Sequence, residues 1–378
     1  MSVLCSNNKG WVISHYDYTK KIYTNVLSQS GLIDLAYNKN LFNIITPMMR
    51  DEEAQHFIKT VTVKSKKEFV FARDVQTNKF GAVIDDELLS IQLAYKTLLK
   101  EARELDLFTT SPREEDYLDN NKLARSLVDT FFGTLSEGFT TYQGGNNNNN
   151  SIIANVFDKS YVIPPSCNFF SCSVEDIESK LQGNKYDFIL LDPPWWNKFV
   201  RRKKSKNFRK SYNMLHNNVI QEIPISKYLN GLGLIGVWCT NSPTHLEAIK
   251  QFFRKWNLEY IAEWYWLKVT QSGDLVCDFS GKRGKKPIER IIFGSEKCRS
   301  LKNPEPGKVI MSVPSAMHSH KPPLTEVLST YLPKDPKCLE LFARYLLPGW
   351  TSVGNQVLLL QSLSLYEVVS RSDNSVVT

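Results

Sequence analysis

The chain has 378 residues, 42% of them apolar, and a formal net charge of +8. That length favours two domains, and that composition belongs to a folded globular protein rather than a fibrous or disordered one. No apolar run approaches the roughly 18–20 residues that cross a bilayer, and the opening MSVLCSNNKGWVISHYDYTKK lacks the apolar stretch of a secretory leader, so no membrane association and an intracellular location are expected.

The seven cysteines are scattered with no CxxC pair, which predicts reduced thiols rather than a disulfide or zinc framework. His318 and His320 stand two apart without a third ligand at sensible spacing, so no metal is expected. Residues 1–150 carry 17 Lys and Arg against 19 Asp and Glu, whereas the other 228 carry 30 against 20. The basic excess therefore lies in the C-terminal part, where it would attract a polyanion.

In chain order, 59–84 alternates in places and predicts short strands. Residues 84–107 repeat apolar positions at three- and four-residue steps, a helix, and a second helix is expected over 115–132. The low-complexity stretch Gly144–Asn150 cannot bury surface and reads as a linker. Beyond it the texture changes to short apolar runs interleaved with helical ones. Strands are expected at 186–191, 233–240, 260–269, 288–294, 309–314, 338–344 and 352–361, with helices over 243–256 and 323–332. That alternation argues for a mainly parallel sheet buried on both faces, whose ligands bind outside the carboxyl ends of its strands.

The first such end is Asp192-Pro193-Pro194-Trp195, directly after YDFILL. Two prolines stop the strand and make a rigid turn that presents a carboxylate, free carbonyl oxygens and an aromatic ring. Those groups suit methyl transfer to the exocyclic amine of adenine. That nitrogen is a poor nucleophile because its lone pair is delocalised into the ring. A carboxylate and a carbonyl accepting its two N–H bonds would turn the lone pair toward an electrophile, while the aromatic ring stacks on an extruded base.

The segments LLDPPWWNK, HSHKPPL, CLELFAR and PGWTSVGNQVL, with FSC (170–172) and AEWYWLKVTQSGDLV (262–276), resemble the DPPW-type adenine N6-methyltransferase family, in its methyltransferase-like protein 4 branch. The best-known member of that family is the catalytic subunit of the mRNA adenosine methylation complex. The resemblance covers roughly 165–362 and implies a circular permutation, with the cofactor strand after the catalytic one. That order accounts for the lack of a glycine-rich loop ahead of DPPW. It implies S-adenosylmethionine as cofactor, with Asp192, Pro193, Pro194 and Trp195 catalytic. Ser171, Cys172, Asp192, Lys321, Leu341, Phe342, Arg344, Asn355 and Gln356 would contact the cofactor, Lys321 at the methionine carboxylate. Ser171 replaces an acidic residue, and Tyr345-Leu346-Leu347 a polar stretch, of the mRNA enzyme.

Immediately after the turn, KFVRRKKSKNFRK (198–210) is the densest basic run, with Phe199, Phe208 and Tyr212 interleaved. Asn197, Lys198, Arg201, Arg202, Lys203 and Lys204 are the expected phosphate contacts. GKRGKKP (281–287) reads as a second basic turn.

The fold class expected is thus α/β: a Rossmann-like, circularly permuted class I methyltransferase domain preceded by an α-rich accessory domain. The boundaries drawn are 1–141 for the accessory domain, 142–152 for the Asn-rich linker, 153–366 for the methyltransferase domain and 367–378 for a disordered tail. The resemblance implies an RNA substrate, 2′-O-methyladenosine in U2 small nuclear RNA, and a nuclear location, with the cytoplasm as a second site. DNA adenine is the alternative substrate, and a catalytically silent RNA-binding scaffold the alternative of another class. Degenerate scaffolds lose the aspartate and aromatic that DPPW keeps here. Nothing in the sequence requires a protein partner.

Overall fold

A computed structural model of the chain describes residues 2–47, 86–135, 141–196, 215–279 and 286–369. The N-terminal part holds strands β1 (Val3–Asn7), β2 (Gly10–Ile13), β3 (Val26–Ser28), β4 (Gly31–Ile33) and β5 (Leu35–Tyr37). Next come β6 (Tyr142–Asn146), β7 (Ile152–Val156), β8 (Lys159–Ile163) and β9 (Cys167–Ser171). The rest are β10 (Tyr186–Leu191), β11 (Leu229–Cys239), β12 (Glu259–Lys268), β13 (Ile288–Ser295), β14 (Val309–Ser312), β15 (Cys338–Leu341), β16 (Trp350–Val353) and β17 (Tyr366–Val368). Four described helices have eight residues or more: α1 (His15–Ile22), α2 (Asp86–Glu104), α3 (Lys122–Gly133) and α4 (Pro243–Lys255).

Eleven strands form one sheet in the order β1-β2-β14-β12-β13-β11-β10-β15-β16-β9-β6. The run β9, β16, β15, β10, β11 is parallel. β13 is inserted antiparallel between β11 and β12. Leaving β10, the chain turns to β11 on one side, whereas β15 is followed by β16 on the other. The sheet therefore reverses its winding between β10 and β15, and a ligand crevice opens at such a reversal. These two strands lie side by side although 338 follows 191 by a long detour, which is the permuted strand order expected from the sequence.

The central strands are apolar throughout because both faces are covered. Ile189 and Leu191 of β10 pack with Ala248, Ile249, Phe252 and Phe253 of α4. With His245 these helix positions form one face at three- and four-residue spacing, and Pro243 opens the helix at its first turn. Phe188 and Leu190 point the other way, where Ile13, Tyr18, Tyr37, Leu41 and Phe42 of the N-terminal segment meet them in one cluster. Ile91, Ala94, Leu98 and Ala102 of α2 cover β2, β12 and β14.

Several boundaries expected from the sequence change. The N-terminal part is mixed rather than α-rich, and it is not a separate unit. β2 pairs in parallel with β14, and Ile13, Tyr18, Tyr37, Leu41 and Phe42 share one core cluster with Phe188 and Leu190 of β10. The first half of the segment expected as a linker is a strand: Tyr142–Asn146 pairs antiparallel with β9, and buried Asn146 donates to the carbonyls of Asn150, Ile163 and Pro164. An edge strand needs backbone pairing more than apolar side chains, which is why composition missed it. The tail begins ordered, since Tyr366–Val368 pairs with β5; residues 370–378 lie outside the described residues.

The helix expected over 115–132 is split. Glu114–Asp119 and α3 are separated by Asn120 and Asn121, both left-handed at φ 50° and 56°. Asn121 accepts from Ile45 N–H at 2.9 Å and donates to the Thr46 carbonyl at 2.9 Å, a tertiary tie worth more than helical continuity. The helix expected over 323–332 is the single turn Thr325–Leu328. The strands expected at 59–84 lie outside the described residues. None of the described cysteines forms a disulfide. No described helix is long and apolar enough to cross a membrane.

Candidate active site

Because the parallel strands share a direction, their carboxyl ends line one edge. Asp192 follows β10, Leu341 to Arg344 end or follow β15, Asn355 and Gln356 follow β16, and Ser171 and Cys172 close β9. Lys268 ends β12, and Lys321 follows β14. β13 runs the other way, so it brings its start, Ile288 to Arg290, to this same edge.

At the centre is a chain of buried charges. Lys321 Nζ lies 3.0 Å from Asp192 Oδ1 and 3.1 Å from Glu289 Oε2, and Lys268 Nζ bonds Glu289 Oε1. The Lys321 side chain is only 9% exposed. Burial alone would raise the Glu289 carboxyl, but the Lys268 and Lys321 ammoniums outweigh it and hold the group well below the usual carboxylate range. Burial likewise opposes the charge on Lys321, and Asp192 and Glu289 reverse the effect, raising it above an ordinary lysine. Sequence reasoning found Asp192 and Lys321 but missed Glu289 and Lys268. An antiparallel β13 would have been the signal, because only that direction puts residue 289 at the ligand edge.

The Asp192 turn is anchored from below. Asp192 N–H donates to Leu341 O at 3.3 Å, tying the Pro-Pro turn to β15. The carbonyls expected to be free are engaged: Pro193 O accepts from Trp195 N–H at 2.8 Å and Pro194 O from Leu215 N–H at 3.1 Å. Each retains a second lone pair. Trp195 corrects the expectation further, because its ring is 4% exposed and cannot stack on a base. It is stacked on His245 at 4.7 Å and parallel to Phe252 at 6.1 Å, while its indole N–H donates to Trp238 O at 2.9 Å. Trp195 is the peg that fixes the turn to α4 and β11.

Of the residues expected to contact the cofactor, Leu341 is fully buried in the core and Phe342 partly packs on the same cluster. Phe342 is left-handed at φ 64°, a costly conformation for a bulky residue. Gly354 lies against it: a Cβ there would meet Ala343 O at 2.5 Å. The loops after β15 and β16 are thus pressed together, with Arg344 half-buried and Asn355 and Gln356 exposed on top. Ser171 and Cys172 are both buried, the hydroxyl hydrogen-bonded to Tyr142.

Below this crevice Glu340 and Ser352 sit opposite each other on β15 and β16, and Glu340 Oε2 and Ser352 Oγ are buried with no hydrogen-bond partner. Burial, with the Asp192 charge adding and Lys321 opposing, pushes the Glu340 carboxyl far above the carboxylate range. Orphaned polar atoms are rare in native cores and fit a ligand that brings donors, such as an ammonium or ribose hydroxyls. Asn197, Lys198, Arg201, Arg202, Lys203 and Lys204 lie outside the described residues, as does most of the 281–287 turn. Among the described residues, no cluster of three or more His, Cys, Asp or Glu could hold a metal.

Residues 186–356, from the first residue of β10 to Gln356, match the MT-A70 family model. The chain is 38% identical over 233 residues to the N(6)-adenine-specific methyltransferase METTL4 of Mus musculus, covering 58% of this chain and 48% of that protein. It is 38% identical over 215 residues to the DNA N6-methyl methyltransferase of Caenorhabditis elegans, covering 56% and 57%. Identity is 36% over 209 residues to the N6-methyladenosine RNA methyltransferase MTA1 of Cryphonectria parasitica, covering 54% and 61%. The chain spans about half the length of the curated relatives it matches.

Proposed function

We propose that the chain, whose residues 186–356 match the MT-A70 family model, transfers a methyl group from S-adenosylmethionine to the N6 amine of adenine in a nucleic acid. The observation that carries this reading is Asp192, held on a Pro-Pro turn at the β10–β15 crevice with Lys321 3.0 Å from Oδ1. The cofactor supplies an electrophilic methyl group on a sulfonium.

Asp192 accepts one N–H of the adenine amine through Oδ2, since Lys321 occupies Oδ1. The Pro193 carbonyl, through its second lone pair, accepts the other. Two acceptors fixed on a rigid turn orient the nitrogen lone pair, and orientation of this kind accounts for several kcal/mol of a transfer barrier. Lys321 neutralises the charge gathered at Asp192 without occupying the substrate face. Asn355 and Gln356 are placed to bond the cofactor's hydroxyls, Glu340 and Ser352 to accept its donors, and Arg344 to lie along it. Lys321 would in addition reach the methionine carboxylate.

The substrate within this class is RNA, specifically 2′-O-methyladenosine of U2 small nuclear RNA, which makes the nucleus the place of action. DNA is the second reading, favoured by the C. elegans relative, whose name specifies DNA and whose identity to this chain equals that of the mouse protein. The test compares methyl incorporation into three oligonucleotides: 2′-O-methyladenosine RNA, unmodified adenosine RNA and adenine DNA. Wild type should prefer the first, and Asp192→Ala should lose at least 100-fold on all three. Absence of turnover on all three by a protein that binds S-adenosylmethionine would defeat the enzymatic reading, and a preference for DNA would replace RNA as substrate.

A further inference from the structure

Lys321 sits on a stretch without regular structure between β14 and Thr325–Leu328. A lysine side chain has much rotamer freedom to lose, so something must hold its backbone if the ammonium is to bridge Asp192 and Glu289. Within this stretch, Ser319 is left-handed at φ 60°, a conformation that persists only where the surroundings enforce it. The enforcing contacts fall on the neighbour of each. His320 is buried, and its ring meets His15 at 5.6 Å, Tyr37 at 5.1 Å, Phe42 at 6.1 Å and Tyr345 at 5.5 Å.

Three of those four rings come from the N-terminal segment, outside the 186–356 match. Their own placement is determined locally. Ser14 caps α1 by accepting from Asp17 N–H at 3.0 Å, which sets His15 as the first helical residue. His15 stacks on Trp266 at 5.8 Å and approaches Ser312 Oγ at 3.4 Å, and Ser312 Oγ accepts from the Trp266 indole at 2.8 Å. A backbone bond from Ala316 N–H to Leu41 O at 2.7 Å ties the same stretch to the same segment. His15 and His320 also line a cavity of about 20 Å³, the room of one water, and each has a buried Nδ1 without a partner.

We propose that the N-terminal corner is a positioning element of the catalytic centre: His15, Tyr37 and Phe42 clamp the His320 ring and so set the Lys321 ammonium between Asp192 and Glu289. The inference rests on Asp192 being the catalytic carboxylate. A misplacement of about 1 Å at a reacting centre costs on the order of 100-fold, so a loosened clamp is expected to lower kcat with little change in KM.

The experiment uses the full chain and the 2′-O-methyladenosine RNA, RNA and DNA oligonucleotides above, with His15→Ala, His320→Ala and Asp192→Ala. Ile91→Ala, a truncation in the core under α2, serves as a control for general destabilisation. Per folded molecule, His15→Ala and His320→Ala should lose at least tenfold in kcat with KM within threefold, and Ile91→Ala should keep its kcat. Added imidazole should restore part of the His15→Ala loss by refilling the site. A crystal structure of His320→Ala should show Lys321 Nζ displaced from Asp192. Retention of kcat within twofold in both histidine variants while Asp192→Ala is dead, or an unmoved Lys321, would overturn the proposal. An active Asp192→Ala, or a wild type without turnover, would defeat the functional reading instead, and the crystal structure would still decide the clamp.

Discussion

At the scale of single residues, the turn is a case where sequence and structure agree on the place and differ on the parts. The place of Asp192 was legible because two prolines after YDFILL stop the strand, and the structure sets it at the carboxyl end of β10. Trp195 was misread because four letters do not say which way a ring points; the structure turns it into the core, where it makes the indole bond to Trp238. Trp195→Phe should therefore cost about 1–3 kcal/mol of stability, the price of an unsatisfied buried carbonyl, and leave the KM for nucleic acid within twofold. A tenfold rise in KM with unchanged thermal midpoint would restore the stacking role. Lys321→Met removes the common partner of Asp192 and Glu289. It should lower stability by about 3 kcal/mol in denaturant titration, as breaking buried pairs does, together with a loss of at least 100-fold in kcat.

At the scale of elements, apolar strands were readable and polar ones were not. Tyr186–Leu191 was delimited from its composition alone because both faces of β10 are buried. β6, made of Tyr, Gln, Gly, Gly and Asn, carries no apolar signal and exists because β9 has an edge to pair. Glu289 was hidden for a related reason: strand direction is a property of neighbours, not of the strand. The β15–β16 loops give a test at this scale. Gly354→Ala would force a Cβ to within 2.5 Å of Ala343 O, so the loops must separate. Cofactor affinity measured by calorimetry should fall at least tenfold, with the thermal midpoint of the unliganded protein lowered by a few degrees. Unchanged affinity would show that these loops do not shape the cofactor site.

At the scale of the whole molecule, the N-terminal segment is built into the core that lies under β10. Ile13, Tyr18, Tyr37, Leu41 and Phe42 bury side chains worth about 1.5–3 kcal/mol each, a sum comparable to the roughly 5–15 kcal/mol by which a domain is stable. A fragment starting at residue 153 should accordingly lack a cooperative unfolding transition, and a sharp one would restore the accessory-domain boundary. The histidines buried in this interface also set a pH response. Burial pushes His320 down to about 4 and His15 well below the usual range. Both are neutral when folded and take up protons on unfolding below pH 6.5, so their contribution is complete above that pH. It is lost as the pH falls from 6.5 toward 4, at roughly 1.4 kcal/mol per pH unit for each. Unfolding midpoints measured over this window should decline with acid, and His320→Phe should flatten the decline.

By itself the sequence determined the chemistry of the turn, the apolar strands around it and the family likeness, because these reside in short contiguous runs whose side chains act locally. Only the tertiary structure decided which way Trp195 points, which carboxylate and ammonium complete the charge chain, and that the N-terminal segment shares the sheet and core of the residues that follow it. Each of those depends on pairing between residues far apart in the chain, and pairing of that kind is chosen by the burial of faces and the satisfaction of backbone edges, neither of which has a period or a motif to read.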